Sequence, residues 1–321
     1  MNEGSFIIKG DFCWSKSLTV LETRPGAFLV CVEGKSAGVF PRVPEQYAGL
    51  PLVDYSDKLI VPGLADLHIH APQFSFRGLG MDKELLDWLE TRAFPEEVKY
   101  RNIEYARKSY GFLIEHLKRG PNTRIVFFAT VHTAATLLLM DMLEESGLVC
   151  LAGKVNMDRN SPTNLSEENA AASLAATRDW LDKCSAYKNV RPILTPRFIP
   201  SCSDGLMEGL GKLQREFNLP VQSHLSENHK EIEWVKKLHP DISGYGAVYD
   251  RFGLFGHSPA EAGAPAVMAH CVHSDEKEIA LLSERQVYIA HCPQSNTNLS
   301  SGIAPVRHFL QRDLWDCSGP Y

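Results

Sequence analysis

Leu59-Ile60-Val61-Pro62-Gly63-Leu64-Ala65-Asp66-Leu67-His68-Ile69-His70 is an apolar run that ends in two histidines separated by one residue. Successive side chains of a β-strand point to opposite faces, so His68 and His70 share a face. Two imidazoles side by side at the end of a strand can bind one divalent metal ion. The stretch therefore predicts a strand that carries half of a metal site, and a metal-dependent hydrolase is the first hypothesis.

Apolar strands and amphipathic helices alternate along the chain that follows. We predict strands at Leu64–Ile69, Thr123–Val131, Leu148–Val155, Val190–Arg197, Leu219–His224, Ala266–Val272 and Val287–His291. Between them we predict helices at Ala134–Glu145, Ser166–Cys184, Asp204–Phe217, Glu227–Leu238 and Asp275–Glu284, with residues 166–168 as the N-terminal cap of the second. This alternation is typical of a parallel sheet covered by helices. Seven units in series favour a TIM-type β/α barrel over an open sheet.

The chain divides into three predicted segments. Residues 1–62 contain short apolar runs separated by Gly, Pro and charge, which predicts a small N-terminal β-sheet domain. Residues 63–310 form the predicted barrel. Residues 311–321 form an atypical C-terminal tail, in which no apolar eighth strand is visible, so we expect the barrel to be incomplete there.

Composition excludes several classes of protein. The 321 residues are 44% hydrophobic and 22% charged, with a net charge of −6, as in ordinary globular proteins. The absence of a basic stretch argues against nucleic-acid binding. Because no apolar run reaches the roughly 20 residues of a membrane span, and the start does not resemble a secretory signal, we expect a cytoplasmic protein. Eight scattered cysteines without a C-x-x-C pair predict free thiols.

Polar residues follow several other predicted strands. His224 and His270 end two of them, and in a β/α barrel such residues meet at the C-terminal face. Taken singly, each is better explained as a hydrogen-bonded structural histidine, but together with His68 and His70 they predict a four-histidine metal site for zinc or iron. Glu227 can carry protons between water and a substrate nitrogen, or simply stabilise the start of a helix.

Three further residues are candidates for a substrate pocket. Gln73 follows the two-histidine strand, and its amide could pair with the edge of a purine. Arg197 could bind a carbonyl oxygen, and Phe198 could stack on a flat ring. Each of these residue types is also common at ordinary surface or core positions.

Longer motifs around these residues resemble a known family. The stretch 62–70 is similar to the opening strand of the amidohydrolase superfamily, and His68-Ile69-His70-Ala71-Pro72-Gln73-Phe74-Ser75-Phe76-Arg77-Gly78 is more specific. With Thr195-Pro196-Arg197-Phe198, with residues 223–228 and with Ala290-His291-Cys292-Pro293 near Asn296, it resembles the guanine deaminase family. The resemblance extends to about Leu310.

The resemblance implies hydrolytic deamination of guanine to xanthine and ammonia with one zinc ion per subunit, in a protein that can form a homodimer. Carried over by position, the metal ligands are His68, His70, His224 and His270, and Glu227 is the proton carrier. Gln73, Arg197 and Phe198 then correspond to the guanine-binding residues.

The family also has a metal-binding aspartate at the end of the eighth strand. Residues 311–321 lack that strand, although Asp316-Cys317-Ser318-Gly319 resembles the turn after the aspartate, and whether Asp316 replaces it stays open. Without this proton acceptor we expect turnover to fall by orders of magnitude. Two alternatives remain at this point. One is a related hydrolase for another aminated or chlorinated heterocycle, and the other is a non-catalytic remnant that binds metal or purine.

Overall fold

The computed structural model describes residues 4–256, 263–312 and 314, and these divide into two compact units, Met1–Leu64 and Ala65–Tyr321. The first unit is a four-stranded sheet. Its strands are β1 (Phe6–Ser17), β2 (Val20–Val32), β3 (Lys35–Phe40) and β4 (Leu52–Ile60), in the order β3-β2-β1-β4. β1 and β2 form a long antiparallel hairpin, while β4 lies parallel to β1.

Short parallel strands form the framework of the second unit. They are β5 (Leu64–His70), β6 (Asn122–Phe128), β7 (Val149–Gly153), β8 (Val155–Asn156), β9 (Val190–Pro192), β10 (Thr195–Pro196), β11 (Val221–Leu225), β12 (Ala266–His270) and β13 (Tyr288–Ala290). They pair in the orders β5-β6-β7-β9, β8-β10 and β11-β12-β13, and a parallel bridge from Leu194 to Val221 connects the second half to the first. The predicted α/β architecture with parallel strands is confirmed, and the strands between residues 64 and 312 that the structure describes form an incomplete TIM-type barrel.

Helices connect the strands of the second unit. They are α1 (Leu85–Trp88), α2 (Phe94–Glu97), α3 (Ile103–Leu117), α4 (Thr133–Ser146), α5 (Ala170–Cys184), α6 (Asp204–Phe217), α7 (His229–Leu238), α8 (Tyr245–Arg251), α9 (Glu276–Glu284), α10 (Pro293–Asn298) and α11 (Val306–Gln311). The apolar face of α6, with Leu206, Leu210 and Leu213, is buried in the same core as Trp180 of α5. None of the helices in the described residues is long and apolar enough to cross a membrane.

Two predicted elements differ from the structure for identifiable reasons. The predicted strand 190–197 is divided into β9 and β10, because the chain changes neighbours between them: the N–H of Ile193 still donates to Ala152 of β7, whereas Leu194 bridges to Val221 of β11. The predicted cap at residues 166–168 is wrong, since α5 begins at Ala170 and the side chain of Asn169 accepts the N–H of Ala172. Glu167 instead binds Lys154 and the backbone N–H of Met157.

Candidate metal centre and cavity

Four histidines from three strands lie together at the C-terminal ends of the barrel strands. β5 provides His68 and His70, β11 provides His224, and β12 ends at His270. The ring of His68 is centred 4.9 Å from that of His70, 4.8 Å from that of His224 and 5.3 Å from that of His270. Potential ligand atoms of His68, His70 and His224 all lie within 4.8 Å of one another. The structure thus brings the four predicted histidines into one cluster.

Hydrogen bonds determine which ring nitrogens of two histidines are protonated. Nδ1 of His224 donates to the backbone oxygen of Arg197 over 2.6 Å, and Nδ1 of His270 donates to Oδ1 of Asn296 over 2.7 Å. In a neutral imidazole the other nitrogen, Nε2, then carries a lone pair. Such hydrogen bonds on the far side of the ring are typical of metal-binding histidines, whose orientation they fix.

The donor set fits a divalent ion. Nε2 of His70 lies 2.9 Å from Nε2 of His224, and the buried Nδ1 of His70 has no hydrogen-bond partner within the described residues. Burial lowers the pKa of His68, His70 and His224 well below the usual value for histidine, and neighbouring imidazoles and the Arg197 guanidinium lower it further. Burial also lowers the pKa of His270. Neutral imidazoles that converge with free lone pairs suit zinc or another transition metal.

Two buried carboxyl groups lie beside the histidines. Glu227 follows β11, and its Oε2 is 3.4 Å from Nε2 of His270, while Ser301 donates to its Oε1 over 3.4 Å. Glu231, one helical turn later, accepts hydrogen bonds from the hydroxyl of Tyr245 over 2.7 Å and from the backbone N–H of Glu227. Burial raises the pKa of Glu227 to about 8, and burial together with the neighbouring charge of Glu227 raises that of Glu231 to about 7.

The side chain of Arg197 is held by a partner that the sequence does not suggest. Its guanidinium donates two parallel hydrogen bonds to the carboxylate of Glu97, of 2.6 and 3.0 Å. Both residues are buried, with exposures of 2% for Arg197 and 1% for Glu97. A bidentate pair fixes the plane of the guanidinium as well as its position. The guanidinium also lies over the ring of Phe94, 5.0 Å from its centre.

All eight predicted site residues line one cavity of about 350 Å³. Gln73 enters it from a short helix at Ala71–Phe76, which directly follows β5. Phe198 lies at the start of another short helix, with its ring edge-to-face against Trp234. Leu85 and Trp88 provide an apolar wall. A cavity of this size and composition suits a small, flat molecule with polar edges.

Sequence reasoning missed several residues of the site. Glu231 has a visible signal, because it lies four residues after Glu227 and a helix brings such positions to one face. Cys292 and Asn296 lie within a quoted motif, but nothing in their spacing gives them a role. Glu97 has no such signal, since it is 100 residues from Arg197. Asp316, the candidate for the remaining ligand, lies outside the described residues.

Comparison with known proteins agrees with this geometry. The model of the amidohydrolase family matches residues 59–314, and the chain therefore belongs to that family. Within the family it is similar to guanine deaminases. It is 41% identical over 277 residues to the guanine deaminase of Dictyostelium discoideum, covering 84% of this chain and 60% of that protein. It is 38% identical over 259 residues to the guanine deaminase of Homo sapiens, covering 80% of this chain and 56% of that protein. The chain thus spans little more than half of these curated relatives.

Solved structures give the same relationship. The crystal structure of guanine deaminase from C. acetobutylicum, with guanine bound in the active site, matches 97% of this chain and 73% of that one, with a TM-score of 0.92 and 46% identity. A triazine hydrolase from Arthobacter aurescens matches with a TM-score of 0.80 at 17% identity, which shows only that the fold is shared.

Proposed function

We propose that the protein deaminates guanine by hydrolysis, giving xanthine and ammonia, with one zinc ion bound by His68, His70, His224 and His270. The single observation that carries this proposal is the common cavity lined by these histidines, Glu227 and the three candidate purine-binding residues. The similarity to guanine deaminases, one of them with guanine in its active site, supports the choice of substrate.

Recognition of guanine would depend on the fixed guanidinium of Arg197. Two of its five N–H groups are directed at Glu97, so the others can bind the purine carbonyl without the side chain having to be ordered first. Gln73 offers a donor and an acceptor to the edge of the ring, and Phe198 offers an aromatic surface. The cavity would thus favour a purine that carries both a carbonyl and an amino group.

Proton transfer is assigned to Glu227. Zinc, when bound, makes water more acidic and so supplies the nucleophile for attack on the carbon that bears the amino group. Glu227 lines the cavity next to His270, within reach of both water and a substrate nitrogen. It would accept a proton from the attacking water and deliver it to a ring nitrogen. It would then transfer the remaining proton of the added hydroxyl to the amino group, so that the C–N bond breaks, ammonia leaves and a carbonyl forms at that carbon. Glu231, with Tyr245, would hold the backbone that positions Glu227.

An assay of xanthine formation from guanine with zinc-loaded protein tests the proposal. We expect Glu227→Gln to lower kcat by about 10²–10⁴-fold, the usual contribution of a general acid–base, while zinc content stays unchanged. Glu233→Gln, in α7 just after Glu227 but outside the residues that line the cavity, is the matched control. Absence of turnover by the zinc-loaded protein, or a Glu227→Gln variant as active as the parent, would overturn the assignment. Comparison with an aminated triazine tests the choice of ring.

A cytoplasmic location and a homodimer are part of the same proposal. Their support is the resemblance to guanine deaminases. Light scattering coupled to size exclusion would give twice the monomer mass of 35.8 kDa if the dimer forms.

A further inference from the structure

A second group of potential metal ligands overlaps the histidine cluster. Ligand atoms of His68, His270 and Cys292 all lie within 4.8 Å of one another. Cys292 follows β13, the neighbour of β12, which carries His270, and its side chain lines the same cavity. We propose that Cys292 forms, with His68 and His270, a thiolate-containing coordination site for a soft or borderline divalent cation such as Cd²⁺, Co²⁺ or Zn²⁺. It goes beyond the proposed function, which does not use the cysteine.

The size of this second site is compatible with coordination. Zinc ligands lie about 2.0–2.1 Å away for imidazole nitrogen and about 2.3 Å for thiolate sulfur, which places the sulfur and a nitrogen roughly 3.6 Å apart in a tetrahedron. The separations allowed by the structure exceed this by at most ~1.2 Å, so the ligand atoms need to approach one another by no more than that. The sulfur is now 3.5 Å from the backbone oxygen of Ala290, to which the thiol donates.

The thiolate makes the group of His68, His270 and Cys292 chemically different from the four-histidine site. Thiolate favours soft cations, whereas imidazole is less selective, so Cys292 would change the preference of the centre. Binding replaces the thiol proton by the metal, and the proton leaves to solvent. The cation supplies the free energy that displaces this proton. Because His68 and His270 also belong to the four-histidine site proposed for zinc, a single ion selects between the two sets.

Cys292 is more exposed than most of the other cysteines that the structure describes. Among the described residues, Cys13 and Cys292 are partly exposed, whereas Cys31, Cys150, Cys184, Cys202 and Cys271 are buried. Cys13 belongs to the first unit and has no role in the cluster, so Cys13→Ser is a matched control for Cys292→Ser.

Cobalt titration of the full chain tests the proposal. A Co²⁺–thiolate bond gives a charge-transfer absorption in the near ultraviolet, which imidazole ligands do not give. We expect the band in the parent and in Cys13→Ser, and its loss in Cys292→Ser. Bound cobalt without the band, or a band that survives in Cys292→Ser, would overturn the proposal. Absence of bound cobalt would also overturn this site, whereas the zinc content and guanine turnover of the zinc-loaded protein test the zinc site separately.

Alkylation of the unmodified protein gives a readout that needs no variant. At a Co²⁺ concentration 100 times the Kd, we expect the alkylation of Cys292 to slow by about 100-fold, with Cys13 unaffected. Equal rates with and without cobalt would contradict coordination by Cys292. Guanine turnover measured on the same samples separates the two proposals. Turnover without the thiolate band overturns only the Cys292 site, and the band without turnover overturns only the proposed activity.

Discussion

Loss of the Glu97 carboxylate should destabilise the protein strongly. The variant Glu97→Ala leaves the Arg197 guanidinium buried and deprives it of two hydrogen bonds of 2.6 and 3.0 Å. Breaking a buried ion pair by removing one partner costs about 3–5 kcal/mol, because an uncompensated charge stays inside the protein. We therefore expect the folding equilibrium constant to fall by at least roughly 100-fold, since each 1.4 kcal/mol is a factor of ten.

The chain contains a matched control for this prediction. Arg178 and Glu216 form the same bidentate arrangement, with bonds of 2.8 and 2.6 Å, but their side chains are 49% and 46% exposed. For such a solvated pair we expect Glu216→Ala to cost less than about 1 kcal/mol. The difference between the two variants measures the effect of burial at constant hydrogen-bond geometry.

Urea unfolding followed by circular dichroism, at a fixed zinc concentration, gives both free energies. Replacing both members of the buried pair, with Glu97→Leu and Arg197→Met together, should recover most of the lost stability because no charge is then left unpaired. Equal costs for Glu97→Ala and Glu216→Ala would refute the reasoning. A double variant that is less stable than Glu97→Ala alone would refute it as well.

Three further variants test packing, metal binding and pH dependence. Gly211→Ala should cost about 1–3 kcal/mol in urea unfolding, because a Cβ would lie 2.1 Å from the backbone oxygen of Phe252. Gly205→Ala in the same helix, where the nearest contact would be 3.7 Å, should be neutral or stabilising by up to about 1 kcal/mol. His224→Ala should lose bound zinc, and with it the increase in melting temperature on zinc addition, whereas the exposed His308→Ala should keep both. Burial raises the pKa of Glu278 above its usual value despite hydrogen bonds from Ser226, Ser274 and Gly246. The folded state therefore keeps this carboxyl protonated to a higher pH than the unfolded state does. The free energy of unfolding should fall as the pH rises from the pKa of the unfolded state through that of the folded state. Glu278→Gln should remove this pH dependence, whereas the exposed Glu276→Gln should keep it.

The helices and the barrel strands were largely predictable because their signals are local. The apolar periodicity of residues 204–217 predicts α6 with its observed bounds, since Ser203 caps it and Asn218 ends it in a left-handed conformation. Alternation along β5 correctly places His68 and His70 on one face. The interruption between β9 and β10 was not predicted, because a change of neighbouring strand at Leu194 leaves no sign in an apolar run.

The contacts that complete the site were predictable only in part. The histidines at the strand ends could be found, because the barrel brings the ends of all its strands to one face. The bond between Arg197 and Glu97 could not, since it depends on how the irregular helices after Leu85 pack over the strands. Likewise, the spacing of Cys292 and Asn296 does not show that one lies beside His68 and the other supports His270.

The distribution of the histidines along the chain has a consequence for how the protein matures. His70 and His224 are 154 residues apart, and Glu97 and Arg197 are 100 residues apart, so neither pair can form until most of the strands between them are in place. A metal ion therefore has no assembled site to bind during the early steps of folding. Its binding energy should appear mainly as slower unfolding of the finished protein, and not as faster folding. Metal uptake would then report that a newly made chain has reached its native state.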